Sequence, residues 1–192
     1  MTLHRPEVYK LNTYELPRRA GEMKEYLLDI EVPEKVGTDL IAVPIGEIIQ
    51  VDARLESVAE GILLSAHIYA VASGECTRCL DPLEIVIEKR VQELYRYAQK
   101  TDRRKKPPLA EDFDGVDEFL MDGDVMDIEG PIRDAIVLAL PSNPLCRNDC
   151  EGLCSSCGGK WSELPNDHAH ESIDARWAAL THLEVDAPDF KN

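Results

Sequence analysis

Apolar and polar side chains alternate most cleanly between residues 49 and 94. Ile49, Val51, Ala53 and Leu55 alternate with Gln50, Asp52, Arg54 and Glu56, the two-residue period of a strand with one buried face. Beyond Glu60-Gly61, Leu64, Ala66, Ile68, Ala70 and Ala72 keep that period, while Leu63, Tyr69 and Val71 fall on the opposite face. A strand apolar on both sides is predicted to be central. Leu83, Ile85 and Ile87, set against Glu84, Glu88 and Arg90, begin a third strand that reaches about Leu94. Three consecutive strands with short connections predict an antiparallel meander. Upstream, Val8 to Leu16 and Tyr26 to Val32 read as shorter strands on either side of an Arg18-Arg19-Ala20-Gly21 turn.

The period changes near residue 132. Ile132, Ala135, Ile136, Ala139 and Leu140 recur at helical spacing, and Val137 and Leu138 widen the stripe, which predicts a well-buried helix. Pro131 suits its first turn and Pro141 ends it. A last short helix is predicted from Ala175 to Leu183, with Asp174 as its cap and Trp177 and Leu180 on its buried face. Between the periodic regions lies a charged stretch. Lys100, Arg103, Arg104, Lys105 and Lys106 run into Pro107-Pro108, and nine acidic residues with no basic one follow between Glu111 and Gly130. Such a run reads as an exposed, mobile linker, and its basic half is also the candidate contact for RNA phosphate or an acidic partner.

These patterns, with the cysteines between Cys146 and Cys157 and the following His168-Ala169-His170 as candidate zinc ligands, give an expected fold class of α+β: an antiparallel β-meander core with a buried helix and a C-terminal zinc-binding segment. The expected parts are a β-rich region over 1–98, a charged linker over 99–126, and a helix with a Cys/His-rich segment over 127–183 packed on the first part. A tail over 184–192 completes the chain.

Length and charge then narrow the function. The chain has 192 residues, of which 44% are hydrophobic, and 37 acidic against 21 basic side chains give a net charge of −16. The apolar run from Ala135 to Leu140 is far short of the roughly 20 residues that span a bilayer. Met1 to Arg19 holds no apolar stretch of a secretory leader. The expectation is a soluble, cytoplasmic protein that contacts no membrane. Global repulsion from phosphates argues against duplex DNA as a partner. The acidity either serves solubility alone or suits basic proteins, among which ribosomal proteins are abundant.

Six cysteines sharpen this picture, because a reducing compartment turns paired thiols toward metal binding or redox chemistry. Cys76-Thr77-Arg78-Cys79 falls in the connection between the second and third meander strands. Cys146, Cys150, Cys154 and Cys157 follow the long helix, and Gly158-Gly159 permits a left-handed knuckle after the last pair. A redox dithiol would sit at the start of a helix after a strand, and neither pair does. The four C-terminal cysteines could close one local site, but Cys76 and Cys79 would then lack partners. With His168 and His170 added, the preferred division is Cys76, Cys79, Cys146 and Cys150 around one Zn²⁺, and Cys154, Cys157, His168 and His170 around another. Four protein ligands leave no open coordination position, so such zinc is structural. Closing the loop between the two halves of the first set costs roughly 3 to 4 kcal/mol. A structural zinc supplies on the order of 10 kcal/mol, so metal removal is expected to loosen the whole domain. His4, His67 and His182 lack such company and read as structural or exposed.

Taken in order, Cys76-Thr-Arg-Cys79-Leu80-Asp-Pro, Leu138-Ala-Leu-Pro141, Leu145-Cys146, Asp149-Cys150-x-Gly-Leu-Cys154-x-x-Cys157-Gly158 and Asp174-Ala-Arg-Trp177-Ala-Ala-Leu180 resemble the YceD family. The resemblance extends from about Tyr26 onward. It implies a ribosome-biogenesis factor associated with accumulation of large-subunit ribosomal RNA, encoded often beside the basic ribosomal protein bL32. Many relatives carry Cys-x-Cys where this chain has His168-Ala-His170, and Pro where it has Ala175. The swap to histidine keeps the capacity to bind metal. Some relatives lack counterparts of Cys154 and Cys157, which implies that a second metal is dispensable to the shared activity.

The leading expectation is therefore a non-enzymatic factor for large-subunit biogenesis and 23S rRNA accumulation. It would bind a large-subunit precursor through rRNA or through a basic ribosomal protein such as bL32. Lys100, Arg103, Arg104, Lys105 and Lys106 would be the contact residues for RNA or a partner. The alternatives are an RNA-processing enzyme, for which no paired carboxylates, Ser-His pair or phosphate-cradling glycines stand out, and a redox-responsive zinc switch.

Overall fold

A computed structural model of the chain describes residues 7–97, 119–170 and 176. The chain divides after Cys150 into two compact units, 1–150 and 151–192.

The first unit is an antiparallel sheet built on the expected meander. Strands β5 (Ile48–Ser57), β6 (Gly61–Glu75) and β7 (Pro82–Arg96) follow one another, and β6 pairs with both neighbours. Its period-two alternation turns Ile62, Leu64, Ala66, Ile68, Ala70 and Ala72 inward, all 5% exposed or less. On β5, Ile49, Val51, Ala53 and Leu55 point the same way and are buried. At fifteen residues β6 outruns β5, and this extra length is used. One edge of β6 pairs with β5 through residues 62–69 and then with β4 (Ile41–Val43) through Ser73 and Gly74. Strand β3 (Val36–Gly37) pairs with β4, and β2 (Met23–Glu31) lies on the far side of β5. A separate two-stranded ribbon joins β1 (Lys10–Asn12) to β8 (Val125–Asp127).

Helix α1 (Glu129–Ala139) packs against β7 and β3. Ile132 and Ile136 enter the core, and Leu140 just beyond the helix joins them. Glu129 N–H donates to Asp127 Oδ1 at 3.1 Å, which starts the helix beside Pro131. The stripe is narrower than expected. Leu138 is 85% exposed, because only one face of a helix lying on a sheet is covered.

Other departures concern short or charged segments. Val8 to Leu16 is not one strand: a 3₁₀ turn, Glu7–Tyr9, precedes three residues of β1, and Leu16 turns back into the core. Strand β2 begins three residues before the expected Tyr26, because pairing with β5 extends back to Met23 and Glu56. Strands β3, β4 and β8, of two or three residues, are too short to show a period. Of the linker expected over 99–126, residues up to 118 lie outside the described residues. From Phe119 onward the chain is packed: Met121 and Met126 are buried, Leu120 bridges Arg96, and Tyr95 Oη donates to the Asp127 carbonyl at 2.8 Å. The acidic residues of this stretch conceal those two core methionines. The expected C-terminal helix, with Asp174, Trp177 and Leu180, also lies outside the described residues, as do His4 and His182. No helix among the described residues is long and apolar enough to cross a membrane.

Gly61 shows how tightly the meander closes. A Cβ at this position would stand 2.0 Å from the Tyr95 carbonyl oxygen across the β6–β7 pair. Backbone does not yield as a flexible side chain does. Gly61→Ala is expected to destabilise the protein by about 1–3 kcal/mol, read from the midpoint of urea unfolding.

Candidate metal centres

The first knuckle grows out of the sheet. Strands β6 and β7 stay paired to their ends at Glu75 and Pro82, so the six residues between them must reverse the chain tightly. Cys76 N–H donates to the Asp81 carbonyl at 2.8 Å, and Leu80 N–H donates to the Cys76 carbonyl at 2.9 Å. Leu80 completes the turn in the left-handed region, at φ +59°. The second knuckle repeats this pattern within the second unit. Cys154 N–H donates to the Gly159 carbonyl at 2.7 Å, Gly158 N–H to the Cys154 carbonyl at 2.8 Å, and Gly158 has φ +71°. Two pairs of cysteines are thus presented by one backbone device. Glycine takes the left-handed position in one; in the other a leucine bears a conformational cost of roughly 1–2 kcal/mol.

The segment after α1 brings the remaining thiols to the first knuckle. Thr77 fastens it with both its N–H and its Oγ1, which donate to the Pro144 carbonyl at 2.9 and 3.2 Å. Arg78 Nη1 donates to the Cys150 carbonyl at 2.8 Å. The sulfurs of Cys76 and Cys150 lie 3.8 Å apart, and those of Cys79 and Cys146 lie 3.5 Å apart. These spacings are far longer than a disulfide of about 2.05 Å. They match the edge of about 3.8 Å of a tetrahedron with metal–sulfur bonds near 2.3 Å. Cys76, Cys79 and Cys150 are buried and Cys146 is exposed.

In the second unit, Cys157 Sγ stands 3.5 Å from His168 Nε2, close to the mixed sulfur–nitrogen edge of such a tetrahedron. His168 is held from both sides. Its N–H donates to the Pro165 carbonyl at 3.0 Å, its ring meets Trp161 edge-on at 5.4 Å, and His170 packs against it at 4.5 Å. In each of the two groups, Cys76/Cys79/Cys146/Cys150 and Cys154/Cys157/His168/His170, one donor atom per residue lies within 4.8 Å of every other. Both groups could hold a metal ion.

The electrostatics favour a cation in each. Burial opposes ionisation of Cys76, yet backbone N–H groups of Cys146, Cys79 and Arg78 outweigh it and bring the thiol down to about 6. An N–H of Asp81 favours the Cys79 thiolate, but burial and the sulfurs around it push that thiol up to about 12. One thiolate, Cys76, is stabilised, while burial and the sulfurs packed around them hold the Cys79 and Cys146 thiols up, which a divalent ion would reverse. Cys154 is likewise lowered to about 6, by N–H groups of Cys157 and Ser156 and by His168.

Several site features have no signature in the sequence: the left-handed leucine, the Arg78 bridge, the Thr77 clasp, and Asp81 Oδ2 at 3.4 Å from Cys79 Sγ. Only the C-x-x-C spacing pointed to this turn. His67 stands apart from both groups, with Nε2 3.0 Å from Glu88 Oε1 on the sheet. Lys100, Arg103, Arg104, Lys105 and Lys106 lie outside the described residues.

Fold and clusters together define a class: a mostly antiparallel β-sheet protein bearing two Cys/His groups able to take up metal ions. The description "Large ribosomal RNA subunit accumulation protein YceD" matches residues 64–184, a stretch that contains all eight donor residues. The chain belongs to the YceD family. It is 39% identical over 170 residues to uncharacterized proteins of Mycobacterium tuberculosis and Mycobacterium bovis, covering 88% of this chain and 77% of theirs. An uncharacterized protein of Mycobacterium leprae is 33% identical over 174 residues, covering 91% of this chain and 76% of its own. No solved structure matches.

Proposed function

We propose that this protein is a cytoplasmic, non-enzymatic factor that supports large ribosomal subunit biogenesis and 23S rRNA accumulation by binding the subunit precursor. The observation that carries the reading is the family match across both knuckles, 64–184, which joins the accumulation role to the metal-binding part of the chain. Zinc is the ion that suits both donor sets, since it accepts thiolate and imidazole in a closed tetrahedron. With all four positions filled by the protein, each zinc stabilises the fold and activates no water. The work is binding and protection, and no bond is made or broken. Contact is made with a basic ribosomal protein such as bL32 or with precursor rRNA.

The test is sedimentation of cell extract through a density gradient. The protein is expected to travel with large-subunit precursors and to leave them in high salt, since a charge-driven contact is screened. A protein that stays at the top of the gradient in low salt, or that trims purified rRNA in a metal-dependent assay, would overturn the reading. Replacing Lys100, Arg103, Arg104, Lys105 and Lys106 together by alanine separates the two kinds of partner. Weaker crosslinking to rRNA is expected if the basic run touches RNA, and unchanged crosslinking assigns the contact to protein.

A further inference from the structure

The tip of the first knuckle carries a side chain that the turn does not require. Leu80 and Gly158 occupy equivalent positions, each donating its N–H to the carbonyl of the first cysteine of its pair, and both have a left-handed backbone. Glycine adopts that backbone freely, whereas leucine adopts it against the clash of its Cβ. Burial does not offset this strain, because Leu80 is 59% exposed. A strained residue whose side chain reaches solvent points to a contact outside the chain.

The surroundings indicate what kind. Leu40, 49% exposed, accepts the N–H of Glu75 on its carbonyl at 3.3 Å, which sets it at the end of β6 that leads into the knuckle. That is two strand spacings, about 10 Å, from Pro82. Glu75 and Glu84 are exposed carboxylates at the same end of the sheet. Lys35 is paired with Asp39 at 2.9 Å, and Arg78, whose Nη1 donates to the neutral Cys150 carbonyl, is one positive charge set against Glu75, Glu84 and Asp81. The carboxylates outnumber Arg78 here, so this end of the sheet sets two exposed leucines in a net negative field that disfavours phosphate and favours a basic partner.

We infer that Leu80 is the apolar anchor of a docking surface for a basic protein segment, with Leu40 exposed at the same end of the sheet and Glu75 and Glu84 on its rim. The inference deepens the assembly role proposed above and rests on it. A central aliphatic anchor ringed by complementary charge is a common way for a small interface to gain affinity and orientation. A rigid, metal-clamped turn would present the anchor without further ordering cost.

The experiment uses the full chain with its metal and, as probe, the mixture of basic proteins extracted from purified large ribosomal subunits. Leu80→Gly is expected to keep its zinc and to melt at or above the parent temperature, while capture of the extracted proteins falls roughly tenfold or more. Leu80→Asn, whose side chain tolerates the left-handed region, is expected to behave alike, and Leu80→Met to restore capture. Undiminished capture by the Gly and Asn variants overturns the inference while leaving the assembly role intact. Loss of zinc from both overturns it too, since Leu80 would then serve the knuckle itself. A parent that captures naked precursor rRNA but none of the proteins refutes protein docking alone. A parent that captures neither and does not sediment with precursors removes the assembly role as well.

Discussion

Cys79→Ser is expected to strip the ion from the first cluster and to lower the melting temperature by about 10 °C. Cys79 and Cys146 stand 67 positions apart in sequence and 3.5 Å apart at sulfur, so a shared ion cross-links the turn after β6 to the segment after α1. A link closing a loop of that length restricts the unfolded chain by about 4 kcal/mol. For a chain of this size each kcal/mol shifts the midpoint by about 2–4 °C. A serine hydroxyl is a far weaker zinc ligand than a thiolate, and the three remaining sulfurs would lose the charge that lets them ionise together. Native mass spectrometry should count two ions in the parent and one in the variant. A variant with two ions, or with an unchanged melting point, would show that these sulfurs gather for another reason.

The consequence is more local than the sequence alone implies. Read from spacing, metal removal would loosen the whole domain. In the structure the core of β5, β6, β2 and α1 contains none of the candidate ligands, and Ile49, Leu55, Ile68 and Ile136 are fully buried without them. The first cluster sits past the ends of β6 and β7, where the hydrogen-bond ladder stops. Its loss is expected to free the 76–81 turn and the 141–150 segment, leaving the meander folded. Protein held in chelator should keep slow amide exchange along β5 and β6 while these two segments become fast.

What the sequence made legible follows from the physics of each signal. Long strands reveal themselves because a buried face must repeat every second residue; β5 and β6 sustain that repeat for ten residues or more, and β7 shows it from Leu83 to Ile87 before Lys89 interrupts it. The helix from Glu129 shows itself in the same way at its own period. Two-residue β3 and three-residue β4 and β8 carry no repeat, since their positions are set by the strands they pair with. The stretch from Phe119 to Asp127 misleads for a different reason. Charge counts average over a segment, whereas burial is decided side chain by side chain, and here Met121 and Met126 enter the core between carboxylates. Cysteine spacing conveys which residues could gather because C-x-x-C constrains local geometry. The hydrogen bonds from Thr77 and Arg78 cross 67 and 72 positions, and no local pattern encodes them.

The second cluster is expected to respond to ligand loss more completely than the first. Between Glu151 and His170 the described structure offers one 3₁₀ turn, Trp161–Glu163, and an isolated bridge from Leu153 to Lys160. The only buried side chain of that stretch is Cys154, so the described residues of this unit contribute no apolar core of their own. Three of its backbone hydrogen bonds close the knuckle, from Cys154 to Gly159, Gly158 to Cys154 and Trp161 to Gly152, and the others are local turns. A segment this short without a core folds only if a cross-link offsets its conformational entropy, and a bound zinc contributes on the order of 10 kcal/mol. Cys154→Ser should therefore release one ion and bring amides 152–168 to the exchange rates of an unfolded chain, while β5 and β6 keep their protection. His168→Ala should do the same, since it removes both a donor and the edge-on contact with Trp161. Slow exchange across that stretch in metal-free protein would mean that something other than an ion holds the second knuckle closed.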